Sequence, residues 1–273
     1  MGGPAMKFGI TANPRIEGAK EASLEVLDHL APKHEVLLES DLATALGRRG
    51  LPLAHMDVDV LLAIGGDGTI LRAFQLSTAK VFGINSGSLG FLAEADADEA
   101  LGYLDRLVRG DYRVEERLRL AVFVDGNRMF DCLNEAVVHT AHVAKIRQFE
   151  VQIDGQVAQR VQADGIIIAT PTGSTSYSMS AGGPIVDPRI DAIIVSAIAP
   201  FKPAARPFVF PAGSRVRVRV EKPRACLLVL DGQHEVQLKG TEDVTISASE
   251  RRAKFIRFGD DFYRRIEEKL SRQ

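Results

Sequence analysis

The sequence predicts an α/β N-terminal domain, built on a parallel, doubly wound sheet, followed by an all-β C-terminal sandwich domain. Three observations carry that prediction. Over the first ~110 residues short apolar runs alternate with longer helical patterns, the β-α-β rhythm of a doubly wound fold. From about Tyr112 onward the hydrophobic period becomes two and Asp-Gly turns separate the runs. No internal repeat, low-complexity tract or Pro/Ser-rich linker intervenes, so the boundary is expected as a direct strand connection near residues 110–117.

Residues 7–12 read as the first strand and 19–30 as an amphipathic helix. A second strand at 34–38 and a helical stretch at 42–49 lead to 58–64. That run is rich enough in β-branched and aliphatic residues to be a buried parallel strand. Gly65-Gly-Asp-Gly-Thr69 follows, then a helix at 70–75, a strand at 81–84 and a second glycine-rich loop, Gly83-Ile-Asn-Ser-Gly-Ser-Leu-Gly-Phe91. In the second half, strands at 118–124 and 128–138 flank Asp125-Gly-Asn127, and strands at 149–153 and 156–161 flank Asp154-Gly155, a favoured type I′ dipeptide. The stretch 215–220 alternates arginine with valine, the pattern of a strand with one wet face, and 227–230 meets Asp231-Gly232 before strands at 236–238 and 244–247. Residues 261–271 form a polar, helix-prone tail, expected to pack back onto the first domain. The expected domains are 1–114, 115–258 and the tail 259–273.

Composition narrows the function classes. With 273 residues, 45% apolar and 26% charged, the chain is long enough for one large or two ordinary cores, and disorder is excluded for most of it. Thirty-four Lys+Arg against 36 Asp+Glu give a net charge of −2, so no global positive field draws the protein onto nucleic acid or anionic lipid. The longest nearly apolar run, 192–199, falls far short of the ~18 residues that span a bilayer. The start, MGGPAMK, carries no export or lipidation signal, and its first five residues read as an added or weakly ordered extension. Two distant cysteines without a CxxC fit a reducing cytoplasm.

The chemistry concentrates in four segments. Gly65-Gly-Asp-Gly-Thr69 sits between an apolar strand and a helix, at the carboxyl end of a parallel sheet where ligands of such folds collect. Its glycines let backbone N–H groups approach phosphate oxygens, and Asp67 is then a carboxylate among phosphates, able to bind Mg²⁺ or accept the proton of an attacking hydroxyl. The plainer alternative is that the glycines turn the chain and Asp67 caps the helix. The loop is neither G-x-G-x-x-G nor a Walker A motif. The second glycine loop ends in Phe91, whose ring could lie against a base, or the loop serves only its own turn. The hydroxyl-dense run 163–184 suits a nucleotide base and ribose, and contains no G-x-S-x-G elbow of a serine hydrolase. Asn134-Glu135 interrupts an apolar strand pattern, either as a local polar network or as an amide and a carboxylate offered to ligand hydroxyls. His139 and His142 lack a third metal ligand nearby and stay unassigned.

Taken together, Gly65-Gly-Asp-Gly-Thr69, Asn134-Glu135, Thr170-Pro-Thr-Gly-Ser-Thr175 with Tyr177 and the run 178–184, and Asp231-Gly-Gln233 resemble the NAD kinase family in order and spacing, over nearly the whole chain. The first motif is shared with diacylglycerol and sphingosine kinases and, more loosely, phosphofructokinases; the Thr170–Thr175 segment is far more specific. The resemblance implies transfer of a terminal phosphoryl group, from ATP or polyphosphate, to the 2′-hydroxyl of the adenosine ribose of NAD, with Mg²⁺, in a cytoplasmic homodimer or homotetramer. It makes Asp67 the catalytic carboxylate with Gly68 beside it, and sets Asn134 and Glu135 on the ribose. Thr175, Ser176, Tyr177 and Ser180 would surround the adenine, Phe91 would flank it, and Asp164 would face the nicotinamide end. Phosphate contacts are expected from Gly65, Gly66, Thr69 and Arg160. Two departures stand out: Ser176 where the family usually has alanine, and Gln162 where many bacterial members have arginine. The competing readings are a lipid kinase with the same glycine motif, and a non-catalytic NAD-sensing module.

Overall fold

The computed structural model describes residues 6–87, 90–142, 145–202, 205–259 and 262–270. The first five residues, Ser88 and Leu89 of the second glycine loop, and Asp261 and Ser271 of the expected tail helix lie outside the described residues. Two units divide the chain: one takes the residues up to Glu116 together with those from Ala253 onward, the other Arg117–Arg252.

The first unit follows the β-α-β rhythm. Strand β1 (Lys7–Ala12) leads to α1 (Ala19–Leu30), β2 (Glu35–Leu38), α2 (Ser40–Ala45), β3 (Val60–Ile64), α3 (Asp67–Leu76), β4 (Lys80–Asn85), β5 (Ala95–Asp96), α4 (Ala100–Val108) and β6 (Arg113–Arg117). Helix α1 buries Ala19, Ala22, Val26, Leu27 and Leu30, the one-sided spacing that a helix needs to cover a sheet. All five residues of β3 are buried, as a central parallel strand covered on both faces requires.

The second unit is antiparallel. Strands β7 (Leu120–Val124), β8 (Asn127–Arg128), β10 (Arg147–Ile153), β11 (Gln156–Ala163), β15 (Val216–Val220) and β18 (Val244–Ala248) form one sheet in the order β11-β10-β15-β18-β7-β8. Strands β9 (Glu135–Thr140), β12 (Gly165–Ala169), β13 (Ala192–Ile198), β14 (Phe208–Pro211), β16 (Cys226–Leu230) and β17 (His234–Leu238) form the other, in the order β14-β13-β12-β9-β16-β17. The main core, including Phe149, Val151, Ile166, Ile168, Val216 and Leu228, lies between them. On β12 the alternate residues Ile167 and Ala169 belong to a second cluster, which Ala181 and Val186 help to cover. The hydroxyl-rich segment, with the short helix α5 (Tyr177–Ser180), is thereby seated on the sheet's far face. In three hairpins both turn residues have positive φ, at Asp125-Gly126, Asp154-Gly155 and Asp231-Gly232, as type I′ turns require.

The chain then returns to the first unit as β19 (Ala253–Arg257) and α6 (Phe262–Leu270). The first sheet runs β2-β1-β3-β4-β19-β6, with β5 also on β4. Assigning residues as far as 258 to the sandwich therefore differs from the structure. Ala253, Phe255, Ile256 and Arg257 are all buried, the two-sided burial of an interior strand rather than the alternation of a sandwich strand. The expected strand over 128–138 is also divided. After β8 the chain makes an isolated bridge between Leu120 and Cys132, then changes sheets at Glu135. Buried Asp131, held by Arg128 and by the Ser249 hydroxyl at 2.6 Å, fixes that crossing.

Candidate active site

Strand β3 is followed by Gly65, whose φ of 149° and position over Thr69 both favour glycine; a Cβ there would lie 2.5 Å from Thr69 Oγ1. Gly66 is the cap of α3 and Asp67 its first residue, so the Asp67 side chain is not the helix cap. Its carboxylate instead accepts backbone hydrogen bonds from the second glycine loop, Phe91 N–H to Oδ2 at 2.9 Å and Leu92 N–H to Oδ1 at 3.0 Å. Gly90 lies against the same carboxylate, and a Cβ there would overlap Oδ1. One N–H per oxygen fixes the plane of the carboxylate and leaves each oxygen lone-pair capacity for a proton or a ligand. Asp67 and Gly66 are half-buried, Gly68 is exposed, and Thr69 is buried beneath Gly65 as a support of the loop.

Residues near the chain's end fasten the second glycine loop. Arg257 donates to Leu92 O at 3.1 Å and to Glu94 Oε2 at 2.9 Å, Phe258 N–H donates to Glu94 Oε1, and Arg265 donates to Ala93 O. Sequence reasoning missed Glu94, Arg257 and Arg265. Their partners lie over 160 residues away, and no local pattern in the sequence signals them.

In the second unit Asn134 and Glu135 stand at the start of β9, 7% and 6% exposed. Asn134 Oδ1 and Glu135 Oε2 have no hydrogen-bond partner among the described residues, although buried polar atoms ordinarily do. Ser176 Oγ donates to Glu135 Oε1 at 3.3 Å. Burial, and then the charge of Asp231, push the Glu135 carboxyl up to about 8.

The hydroxyls of the 170–180 segment divide into two sets. Thr170 Oγ1 donates to Leu133 O, Ser174 exchanges hydrogen bonds with Val186, and Ser178 Oγ meets Ser196 Oγ. Thr175 is buried and bonded to Thr172 O at 3.3 Å. Ser176 is half-buried, whereas Ser180 and Tyr177 are exposed, Tyr177 by 41%. Gly173 packs so closely on Asn134 that a Cβ would overlap its backbone carbonyl. The specific segment and the Asn-Glu pair are thus one assembly.

Asp164 is half-buried, its backbone bonded to Ile198 O and Thr140 N. Gln162 is exposed. Arg160 is held by two carboxylates, Glu150 at 2.5 Å and Glu221 at 3.1 Å, so its guanidinium is engaged within the protein. His139 bonds Thr140 O through Nδ1, and no group of three or more His, Cys, Asp or Glu able to hold a metal occurs among the described residues.

Comparison with known proteins gives two family matches, to the ATP-NAD kinase N-terminal domain over residues 38–112 and the ATP-NAD kinase C-terminal domain over residues 133–258. An NAD kinase of Thermoplasma volcanium is 40% identical over 246 residues, 90% of this chain and 90% of that protein. Yeast NADH kinase complexed with NADH superposes with a TM-score of 0.89 at 25% identity, covering 98% of this chain and 88% of that one. An NAD kinase from Archaeoglobus fulgidus in complex with ATP gives a TM-score of 0.78 at 30% identity, covering 97% and 99%.

Proposed function

The chain belongs to the ATP-NAD kinase family, and from that premise we propose which of its residues carry out the phosphoryl transfer. Its activity is that of an NAD kinase, an enzyme that phosphorylates NAD with ATP. The acceptor we assign is the 2′-hydroxyl of the adenosine ribose. That oxygen bonds to the terminal phosphorus of ATP, the bond from this phosphorus to the β–γ bridging oxygen breaks, ADP leaves, and the hydroxyl proton passes to Asp67. The carrying observation is the Asp67 carboxylate oriented by the Phe91 and Leu92 amides, with one N–H on each oxygen.

Gly66 offers its backbone N–H to phosphate, with Thr69 supporting the loop and Gly68 beside the carboxylate; the Gly65 N–H, expected to do the same, instead donates to Ile84 O at 2.8 Å and ties the loop to β4. Asn134 and Glu135 hold the ribose. Their two unpartnered oxygens, Oδ1 and Oε2, support this role, because ligand hydroxyls would satisfy them. Thr175, Ser176, Tyr177 and Ser180 surround the adenine, Phe91 flanks it, and Asp164 faces the nicotinamide end. Arg160 would reach a phosphate only by leaving Glu150 and Glu221. A donor set without a three-ligand cluster among the described residues fits Mg²⁺ carried largely by the ATP phosphates, with Asp67 the carboxylate that would contact it. When bound, the metal supplies neutralisation of charge on the transferring group.

The protein is further proposed to be a cytoplasmic homodimer or homotetramer. Exposed apolar side chains on the second unit, Phe201 at 67%, Ile190 at 53% and Val209 on edge strand β14 at 50%, support self-association. Cys132 and Cys226 are free thiols, and among the described residues no helix is long and apolar enough to cross a membrane.

Asp67→Asn tests the mechanism. Asparagine keeps the size but cannot take a proton, so kcat falls by about 10² to 10⁴-fold while the Kd for NAD changes modestly. A folded variant that retains most of its turnover would remove Asp67 from the catalytic role.

A further inference from the structure

Asp231 belongs to a shared motif, yet phosphoryl transfer as described gives it no task. It is 4% exposed and sits in the β16–β17 turn with φ 50°, a left-handed conformation disfavoured for a residue with a side chain. Its carboxylate accepts three consecutive backbone N–H groups: Leu133 to Oδ2 at 2.7 Å, and Asn134 and Glu135 to Oδ1 at 2.7 and 3.0 Å. Its own N–H donates to Glu135 O at 2.9 Å. Other elements grip the carbonyl side of the same dipeptide: Thr170 N–H donates to Asn134 O at 2.8 Å, Thr170 Oγ1 to Leu133 O at 2.6 Å, and Gly173 packs on Asn134. The backbone of residues 133–135 is therefore clamped from both sides, and its two side chains carry the unpartnered oxygens.

We propose that Asp231 is a positioning residue whose buried carboxylate gathers the amides of Leu133, Asn134 and Glu135, fixing the Asn-Glu pair and keeping Glu135 a neutral hydrogen-bond donor to the ribose. This rests on the assignment of that pair to the ribose. Two buried carboxyls in one site do not both ionise readily, and the anion resides where hydrogen bonds stabilise it. Asp231 has three N–H donors, whereas Glu135 has one hydroxyl. Burial pushes Asp231 up, to about 6, against the pull of its N–H donors and of Arg119, which leaves it below Glu135 at about 8. The surrounding ionisable groups keep that order. Arg119 acts on Asp231, Asp131 is engaged by Arg128 and Ser249, Arg251 opposes the charge of Arg119, and burial holds the Cys132 thiol far above neutrality.

The test is NAD titration by calorimetry from about pH 6 to 9 on wild type, Asp231→Asn, Asn134→Ala and Glu135→Ala, with thermal melts of each. Wild-type affinity is expected to decline as pH rises through the Glu135 transition. In Asp231→Asn the Kd rises about 10-fold or more at neutral pH, and the decline begins at lower pH because the neighbouring charge is gone. A merely structural Asp231 would lower the melting temperature and leave both the Kd of the folded fraction and the pH midpoint unchanged; that result overturns the proposal. If neither Asn134→Ala nor Glu135→Ala changes the Kd, the ribose assignment itself fails, which is a separate result. An independent measurement needs no variant. In wild type the amide-proton resonances of Leu133, Asn134 and Glu135 should share a transition with a midpoint near pH 6, set by Asp231 and separate from the Glu135 transition at about 8; the absence of that shared transition overturns the proposal.

Discussion

At the scale of single residues, contact geometry decides what each group can do. Gly90 has no side chain because the Asp67 carboxylate lies where one would begin. Gly90→Ala is therefore expected to displace the catalytic carboxylate and to lower kcat by about 10²-fold, the usual consequence of an ångström-scale misplacement, with a smaller change in KM for NAD. Steady-state kinetics on folded variant protein checks this. Tyr177→Ala has the opposite profile. A half-exposed ring that stacks on a base gains similarly in ground and transition states, so KM for NAD rises more than kcat falls. Glu135 also affects stability. A carboxyl whose folded pKa lies above its unfolded value binds more protons when folded, so its contribution to stability declines as pH rises from the ordinary glutamate range through about 8. Glutamine stays neutral throughout. The melting temperature of Glu135→Gln relative to wild type should therefore rise between about pH 5 and about pH 9, by roughly 2 °C or more.

At the scale of elements, legibility followed locality. Strand β1 and helix α1 lie where the apolar pattern alone put them, and the three Asp-Gly hairpins follow from two residues each, because the left-handed turn is a local property. Helix α3 begins at Asp67, three residues before its apolar periodicity suggested, since a first turn that contains the glycine loop carries little hydrophobic signal. The break in 128–138 depends on Asp131 meeting Ser249, and the placement of β19 depends on a gap beside β4; neither is written in neighbouring residues. In the site, Asp67 and Asn134-Glu135 stood out as polar residues in apolar or glycine-rich surroundings. The grip of Asp231 on residues 133–135 did not, because hydrogen bonds between residues about 97 apart leave no spacing pattern. The same holds for the Arg257–Glu94 pair, whose side chains are both 4% exposed. Arg257→Ala would leave Glu94 buried with one cation fewer. Destabilisation on the order of 3–5 kcal/mol, read by chemical denaturation, is the expectation for breaking such a pair.

At the scale of the whole molecule, light scattering at micromolar concentration should give a mass of at least twice the 29.7 kDa of one chain. A single-chain mass would refute the self-association proposed from Phe201, Ile190 and Val209. The path of the chain through the first sheet has a further consequence, for biosynthesis. Strand β19 fills the place between β4 and β6 but is made only after all of Arg117–Arg252. While the ribosome is still translating, the nascent first unit carries a slot with two open strand edges, and the loop bearing Phe91 and Leu92 lacks Arg257. The second unit, by contrast, is continuous in sequence and can close its sandwich as it emerges. Vectorial synthesis thus orders maturation: the sandwich can complete first, and the seat of Asp67 is finished only once Arg257 has emerged after it.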